Sequence, residues 1–290
     1  MARRCCASVL VMTFLAHYLF NEAPVQEATT AIDIEAGGSG PHNGTYTFSS
    51  PSSRGGLEPG GIGGRHTWIS LNDSGSVTGL GNINNLRISG AMTMSFWYYS
   101  DNIDAWHPIM EMNGVDETQP ENKLFGVSRE TSGRLAMKWE NGAGVDVNVF
   151  SSNNIVEVLD QWYHCAVVRK ANGGNFDVLF YVDGTLVDTQ DNGGSGYAGP
   201  DGGTNSFGFI GRDQASTEPS GAFRIDSLRL YDTALSAGDI NSIYLIEKAA
   251  AESYGALFEE PKNILTPNSG MNYTAFLEGE RNSRGYGGFR

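Results

Sequence analysis

Short stretches typical of β-strands recur through residues 66–232, about one in every ten residues. Each is rich in Val, Ile, Thr or aromatic residues and is bounded by Gly, Asn or Asp. In order they read HTWISL, AMTMSFWYYS, HPIMEM, NKLFGVS, GRLAMKWE, VDVNVF, QWYHCAVVRK, FDVLFYVDGTLVDTQ, SFGFIGR and AFRIDSLRLYD. This spacing predicts an all-β chain folded as a two-sheet sandwich or barrel.

Three stretches carry more specific information. In GRLAMKWE the residues Leu135, Met137 and Trp139 share one face, which predicts a strand with one solvent-facing side. The other face carries Arg134, Ala136, Lys138 and Glu140. WYHCAVVRK is largely apolar on both faces and predicts a central strand. Asp183-Gly184, between two apolar runs, predicts a tight hairpin turn, because Gly accepts the positive φ angles of such turns.

The last strand signal breaks its own alternation and is followed by a helix signal. The alternation of apolar residues before Asp226-Ser227 is out of phase with the alternation after it. One extra residue would bring both sets of apolar residues to the same face, so a β-bulge is predicted there. Ser236 and Asp239 then have the spacing of a capping box, and apolar residues follow at helical intervals. The sandwich is predicted to close with a bulged strand and a capped helix.

The N-terminal segment has the layout of a secretory signal peptide. Two arginines precede an apolar run over residues 5–20, and polar residues follow. The run is short for a membrane span and contains His17. Residues 1–23 are therefore predicted to be a signal peptide, with a retained signal-anchor as the alternative.

Three further segments are predicted after residue 23. Residues 24–64 are rich in Gly, Ser and Pro and form a lead-in with at most one strand, at residues 45–49. Residues 65–248 hold the strand signals and the closing helix and form the predicted sandwich domain. Residues 249–290 mix isolated apolar residues with Pro and Gly, which predicts a tail that is mobile or that docks on a neighbouring subunit.

Charge and cysteine content narrow the classes of function. The formal net charge is −14 with only 19 Lys and Arg, so no basic stripe is available to neutralise phosphates, and nucleic-acid binding is not expected. Without the signal segment only Cys165 would remain, so no intramolecular disulfide could form. Cys165 falls in a strand pattern and is predicted to be a buried, unreactive thiol.

The predicted sandwich closes with Ile225-Asp226-Ser227-Leu228-Arg229-Leu230-Tyr231, then Ala234-Leu235-Ser236, Asp239-Ile240 and Ile243-Tyr244. This pattern resembles that of laminin G-like and pentraxin-like members of the concanavalin A-like jelly-roll superfamily. MTMSFWYY, WYHCAVVRK, FYVDGTLV and FGFIGRD resemble earlier strands of the family in the same order. The resemblance covers about residues 60–248 and implies a jelly roll of two antiparallel sheets. It does not fix an activity, because one fold carries many functions.

Pentraxin-like members of the superfamily hold calcium with an acidic-Asn pair and an acidic-Gln-acidic run. Glu121-Asn122 and Asp213-Gln214 resemble these pieces, with Ala215 in the third position of the run. The resemblance therefore implies calcium as a cofactor held by these four residues, whose carboxylate and amide oxygens suit a hard cation. The alternative is that they are ordinary solvated loop residues.

Two predicted loops have the residue types of a sugar site, in which aromatic rings stack on the sugar and polar groups hold its hydroxyls. The first loop contains Asp101, Asn102, Asp104 and Trp106. The second, over residues 191–205, is rich in Gly and contains Tyr197. The alternatives are that Trp106 begins a strand as a core residue and that the Gly-rich loop is a plain connection.

Catalytic motifs are not found in the sequence. Retaining glycan hydrolases need two carboxylates about 5–5.5 Å apart, and EVLDQ, with Glu157 and Asp160, lacks the closing acid of the usual run. Metalloprotease, nucleophile-elbow and P-loop motifs are also missing from the sequence.

These observations support three hypotheses in order. The first is a secreted or surface-exposed, non-catalytic module that binds glycan or glycoprotein through edge loops, with calcium as a candidate cofactor and without membrane insertion of the mature domain. The second is a structural protein that decorates a virus particle or cell surface, with the C-terminal tail contacting a homo-oligomer or assembly neighbour. The third is a glycan-active enzyme that would depend on Glu157 or Asp160.

Overall fold

The computed structural model describes part of the chain, including most residues of every strand signal named above. The described residues are 16–18, 30–31, 44–48, 57–58, 61–62, 67–72, 86, 88–100, 106–113, 123–141, 145–159, 161–191, 207–211 and 223–258. Within these ranges the chain forms sixteen strands and one helix. They are β1 Ala16–Tyr18, β2 Thr30–Ala31, β3 Gly44–Phe48, β4 Leu57–Glu58, β5 Gly61–Ile62, β6 Thr67–Asn72, β7 Met92–Ser100, β8 His107–Asn113, β9 Lys123–Arg129, β10 Leu135–Glu140, β11 Asp146–Phe150, β12 Trp162–Asn172, β13 Asn175–Val182, β14 Thr185–Gln190, β15 Phe207–Ile210, β16 Phe223–Tyr231 and α1 Ala237–Phe258.

The strands form two large antiparallel sheets. The six-stranded sheet has the order β1-β16-β7-β12-β13-β14, and the eight-stranded sheet has the order β11-β10-β9-β8-β15-β6-β3-β2. The short strands β4 and β5 pair only with each other. These sheets and the helix that follows β16 confirm the predicted all-β jelly-roll sandwich with a C-terminal helix.

The main core lies between the two sheets because alternate residues of each strand point inward. Met94 and Phe96 enter it from β7, and Met137 and Trp139 enter it from β10, all fully buried. Burying a side chain of this size contributes about 1.5–3 kcal/mol. The inward-facing set predicted for GRLAMKWE is therefore confirmed.

The outward face of β10 is less exposed to solvent than the sequence predicts. Ala136 is fully buried and Glu140 is 7% exposed, although both lie on the predicted solvent-facing side. Ala136 lies in register between Ser128 of β9 and Phe150 of β11, and longer neighbours shield so small a side chain. Lys138, on the same side, is half-buried.

The predicted central strand is confirmed as β12, which lies between β7 and β13. Its residues from Tyr163 to Arg169 are buried on both faces. Cys165 is a free, fully buried thiol, and burial raises its pKa because the thiolate would be desolvated. The prediction of a buried thiol is therefore confirmed.

The lead-in contains more strands than predicted. The strand expected at residues 45–49 is present as β3, but β2, β4 and β5 also fall within residues 24–64. Each has only two residues, and so short a pair leaves no alternation pattern to detect in the sequence.

The Asp183-Gly184 hairpin turn between β13 and β14 is confirmed. Both residues have positive φ, 48° and 74°. The turn also contacts the helix: a Cβ atom on Gly184 would lie 2.7 Å from Asn241 Oδ1 and 3.0 Å from Tyr244 Cδ1. Glycine is therefore required here by the turn and by the packing against α1.

The bulge and the helix cap are also confirmed. The pairing of β16 with β7 shifts between Asp226 and Arg229, and Ser227 has a φ of 49°. At the start of α1 the Asp239 backbone N–H donates to Ser236 Oγ over 3.2 Å, and the Ser236 N–H donates to Asp239 Oδ2 over 3.0 Å. Two backbone donors at the helix start are thereby satisfied reciprocally.

Arg169 is a fully buried cation that joins distant segments of the chain. Its guanidinium donates to the backbone carbonyls of Ile88, Gly90 and Leu124 over 2.6–3.0 Å. It also lies over two aromatic rings, those of Trp139 and Phe176. Burial lowers its pKa to about 9, but the carbonyls and rings stabilise the charged form.

Strand β1 lies inside the apolar run assigned above to a signal segment. Ala16, His17 and Tyr18 pair with residues 228–230 of β16 at the edge of the six-stranded sheet. Ala16 is fully buried in the main core. The division of the chain at residue 23 stays a prediction.

Residues 1–246 and 247–290 form two compact units. Residues 247–258 of the second unit are helical, and they are the part of it that the structure describes. In the described residues no helix combines the length and the apolar character needed to cross a bilayer.

Candidate functional site

Trp106 is the predicted ligand-binding residue that the structure describes. The other residues predicted to contact a ligand or calcium lie outside the described residues, and their assignment stays a prediction. They are Asp101, Asn102, Asp104, Tyr197, Glu121, Asn122, Asp213 and Gln214.

Trp106 lies directly before β8, at the end of the eight-stranded sheet, and is half-buried. His107 pairs with Arg129, so Trp106 lies beside Glu130, the residue that follows β9. The indole N–H of Trp106 donates to Glu130 Oε1 over 3.2 Å. Trp106 is therefore fixed by a polar contact and is not a fully buried core residue.

Glu130 joins three polar side chains. Besides the indole N–H, it accepts a hydrogen bond from Ser128 Oγ over 2.7 Å and forms an ion pair with Lys138 Nζ at 3.0 Å. The ammonium of Lys138 also lies 5.3 Å from the centre of the Trp106 ring. The Lys138 and Glu130 side chains keep 21% and 19% of their surface exposed, so part of this cluster lies at the protein surface.

A second cation lies on an aromatic ring of the same sheet face. Arg134, just before β10, has the same parity as Lys138, and Phe150 of β11 pairs with Ala136. The guanidinium carbon of Arg134 lies 4.8 Å from the centre of the Phe150 ring. We call the set Trp106, Ser128, Glu130, Arg134, Lys138 and Phe150 the Trp106 patch.

A buried aromatic layer supports the patch from inside the sandwich. His107 is fully buried, forms a hydrogen bond through Nδ1 with the Tyr98 hydroxyl, and stacks on Phe223 with ring centres 4.6 Å apart. Burial, together with the charge of Arg129, lowers the pKa of His107 from 6.5 to about 3. His107 is therefore neutral near pH 7 and positions the residue beside it.

Farther along the same face, Glu111 of β8 forms an ion pair with Lys123 of β9 at 3.3 Å. Register places Glu111, Gly126 and Lys138 side by side on three adjacent strands. The face that carries the Trp106 patch thus alternates charges of both signs across β8, β9 and β10.

The Trp106 patch offers groups of the kinds that contact sugars in binding sites. Half-buried aromatic rings, a carboxylate and two cations offer stacking surfaces, an acceptor group and several donors.

Glu157, one of the two acids of the enzyme hypothesis, is exposed in the irregular segment between β11 and β12, and Asp160 lies outside the described residues. Glu157 is therefore not part of a strand, where a glycanase carboxylate pair would be expected. Among the described side chains, no group of three or more His, Cys, Asp and Glu is arranged to hold a metal ion.

The closing motif that carries the family resemblance has a structural role. Burial raises the pKa of Asp226 to about 6, although hydrogen bonds from Ser227 and the charge of Arg229 act in the opposite direction. On the same outer face of the six-stranded sheet, the ring of Tyr244 lies 5.9 Å from Trp97 and 5.7 Å from His164. Helix α1 packs on this face through these aromatic contacts.

Sequence reasoning missed Ser128, Glu130, Arg134, Lys138 and Phe150 as site residues. The alternation of GRLAMKWE already places Arg134 and Lys138 on one face, so part of the signal was present. The pairing of β8 with β9 could not be read from the sequence, because nine residues (114–122) separate the two strands. Without that register, Glu130 could not be placed beside Trp106.

Comparisons with known proteins agree with this architecture. A laminin G-type family model, described as the concanavalin A-like lectin/glucanases superfamily, matches residues 64–241. No curated protein sequence matches the chain at a significant level.

Solved structures with the same architecture share little sequence with this chain. One is a Trypanosoma rangeli sialidase in complex with 2,3-difluoro-KDN, with a TM-score of 0.51 and 12% identity over 81% of this chain and 33% of the sialidase. Another is the receptor binding domain of botulinum neurotoxin D, with a TM-score of 0.50 and 12% identity over 81% of this chain and 53% of that domain. The binding domain of botulinum neurotoxin serotype G has a TM-score of 0.50 and 13% identity over 81% of this chain and 51% of that domain.

The chain thus spans about half the length of the toxin domains and about a third of the sialidase. At such low identity these likenesses establish the fold alone. The family model, however, covers more than half of the chain and extends through strand β16 to the start of α1. The chain therefore belongs to the laminin G-like branch of the concanavalin A-like lectin/glucanase superfamily.

Proposed function

We propose that this protein is an exported, non-catalytic recognition module that binds glycan or glycoprotein at the loop end of the eight-stranded sheet. The observation that carries the proposal is the environment of Trp106, a half-buried ring beside a carboxylate and an ammonium that both remain partly exposed. Aromatic rings stack on sugar faces and neighbouring polar groups hold the hydroxyls. The related toxin structures are binding domains by name, which agrees with a binding role.

The loop that precedes Trp106 extends the proposed site. Asp101, Asn102 and Asp104 lie within five residues of Trp106 in the sequence and would supply further hydrogen-bonding groups. Tyr197 would supply a second ring, and calcium held by Glu121, Asn122, Asp213 and Gln214 would organise neighbouring loops. These additions rest on the sequence.

The test is binding of the purified chain to a glycan array, with calcium and with a chelator, for the wild type and two tryptophan variants. We expect Trp106→Ala to weaken binding by about tenfold or more, because a central tryptophan contributes about 2 kcal/mol or more at many interfaces. Trp162→Ala is the matched control: Trp162 is also half-buried but lies in the six-stranded sheet.

Equal losses for the two variants would point to a general loss of structure and contradict the proposed site. No binding by the folded wild type in either buffer would overturn the recognition role and favour the assembly role. Loss of binding with the chelator, reproduced by Asp213→Ala, would add calcium to the site.

A further inference from the structure

The Trp106 patch contains two cations with different surroundings. Lys138 is paired with Glu130 at 3.0 Å, and Glu130 also accepts hydrogen bonds from Trp106 and Ser128. The carboxylate of Glu130 therefore already interacts with three side chains of the patch. Its negative charge compensates the positive charge of Lys138.

Arg134 is not compensated in this way. It lies across the β9–β10 turn from Glu130, whose backbone N–H donates to the Arg134 carbonyl over 2.8 Å. In the part of the chain that the structure describes, the guanidinium has the Phe150 ring as its contact and no carboxylate within ion-pair distance. The patch thus carries one excess positive charge in a chain whose formal net charge is −14.

The chemistry of this pair points to one class of ligand group. A guanidinium that lies on an aromatic ring is restrained by it, and its N–H groups form a planar fork that matches a carboxylate in two parallel hydrogen bonds. Rigid presentation of the fork lowers the entropic cost of binding. A neutral sugar offers no group that would use this charge.

We infer that Arg134, held on Phe150, selects a carboxylate on the bound sugar, so that the ligands of the Trp106 patch are acidic glycans such as uronic or sialic acid conjugates. This inference rests on the proposed glycan-binding function and names the ligand class of that same site. Trp106 would stack on the sugar while Arg134 binds its carboxylate.

The experiment compares acidic probes with their carboxyl-reduced neutral counterparts on the full chain. The probes are oligogalacturonate and sialyllactose, each with its reduced form, together with a sulfated galactan. We expect each acidic probe that binds to bind at least tenfold more tightly than its reduced form. Arg134→Gln should abolish this preference, and Arg134→Lys should retain only part of it because an ammonium lacks the fork.

Lys170→Gln provides the control for net charge, because Lys170 is exposed on the six-stranded sheet. It should leave the preference unchanged. Equal binding of acidic and reduced probes, or neutral glycans bound while every acidic probe is ignored, would overturn the inference and leave the proposed function standing. Equally tight binding of the sulfated galactan would overturn the assignment to carboxylates. Binding of no sugar at all would overturn both.

Discussion

At the scale of single residues, buried titratable groups set how stability depends on pH. Burial, with the charges of Arg129 and Arg229 respectively, lowers the pKa values of His107 and His164 from 6.5 to about 3. As pH falls from 6.5 towards 3, the unfolded chain therefore binds protons that the folded chain does not, and the free energy of unfolding falls. Asp226 acts in the opposite direction, because its pKa is raised from 3.8 to about 6 and the folded chain holds the extra proton between those values.

Near pH 5 the three groups together take up a net one proton on unfolding. The free energy of unfolding therefore changes with pH by about 1.4 kcal/mol per pH unit. We expect His164→Phe to remove this slope, because the ring would still pack beside Trp97 and Tyr244 but would bind no proton. Urea unfolding of both proteins between about pH 5 and 7 measures the difference. Parallel pH profiles would show that His164 does not titrate as described.

At the scale of elements, the β13–β14 turn holds helix α1 against the six-stranded sheet. We expect Gly184→Ala to lower the free energy of unfolding by about 1–3 kcal/mol more than Gly173→Ala. Both glycines have positive φ, but a Cβ on Gly173 would meet nothing within 4 Å, whereas one on Gly184 would meet Asn241 and Tyr244. Urea unfolding gives the two free energies. Equal effects of the two substitutions would mean that the turn does not hold the helix.

Elements with local signals were predictable from the sequence, and contacts between distant elements were not. The Asp183-Gly184 turn, the bulge at Ser227 and the Ser236 cap each depend on a few consecutive residues. Arg169 instead contacts carbonyls 45 to 81 residues away in the sequence, and its charge gave no indication of burial. The Trp106 patch is of the second kind, because it assembles residues of β9, β10 and β11 beside a residue that precedes β8.

At the scale of the whole molecule, β1 closes one edge of the six-stranded sheet. We expect a chain of residues 24–290 to melt several degrees lower than the full chain, because it lacks Ala16 in the core and the strand that pairs with residues 228–230. A chain lacking only residues 2–10 is the control, since it keeps β1. Calorimetry at equal concentration measures the melting temperatures, and size-exclusion chromatography detects association through the uncovered edge. Identical melting temperatures for the 24–290 and full chains would show that β1 adds no stability.

The pairing of β1 with β16 also bears on the predicted signal segment, because it would set an order of events if residues 1–23 direct export. Residues 16–18 cannot lie in a sheet edge and be presented to an export machinery at the same time. A chain that folds before export would bury part of its signal segment in the sheet. A chain that is exported and cleaved first would have to fold without β1. The relative speed of folding and export would therefore decide whether the edge of β16 is covered or bare when the protein reaches its destination.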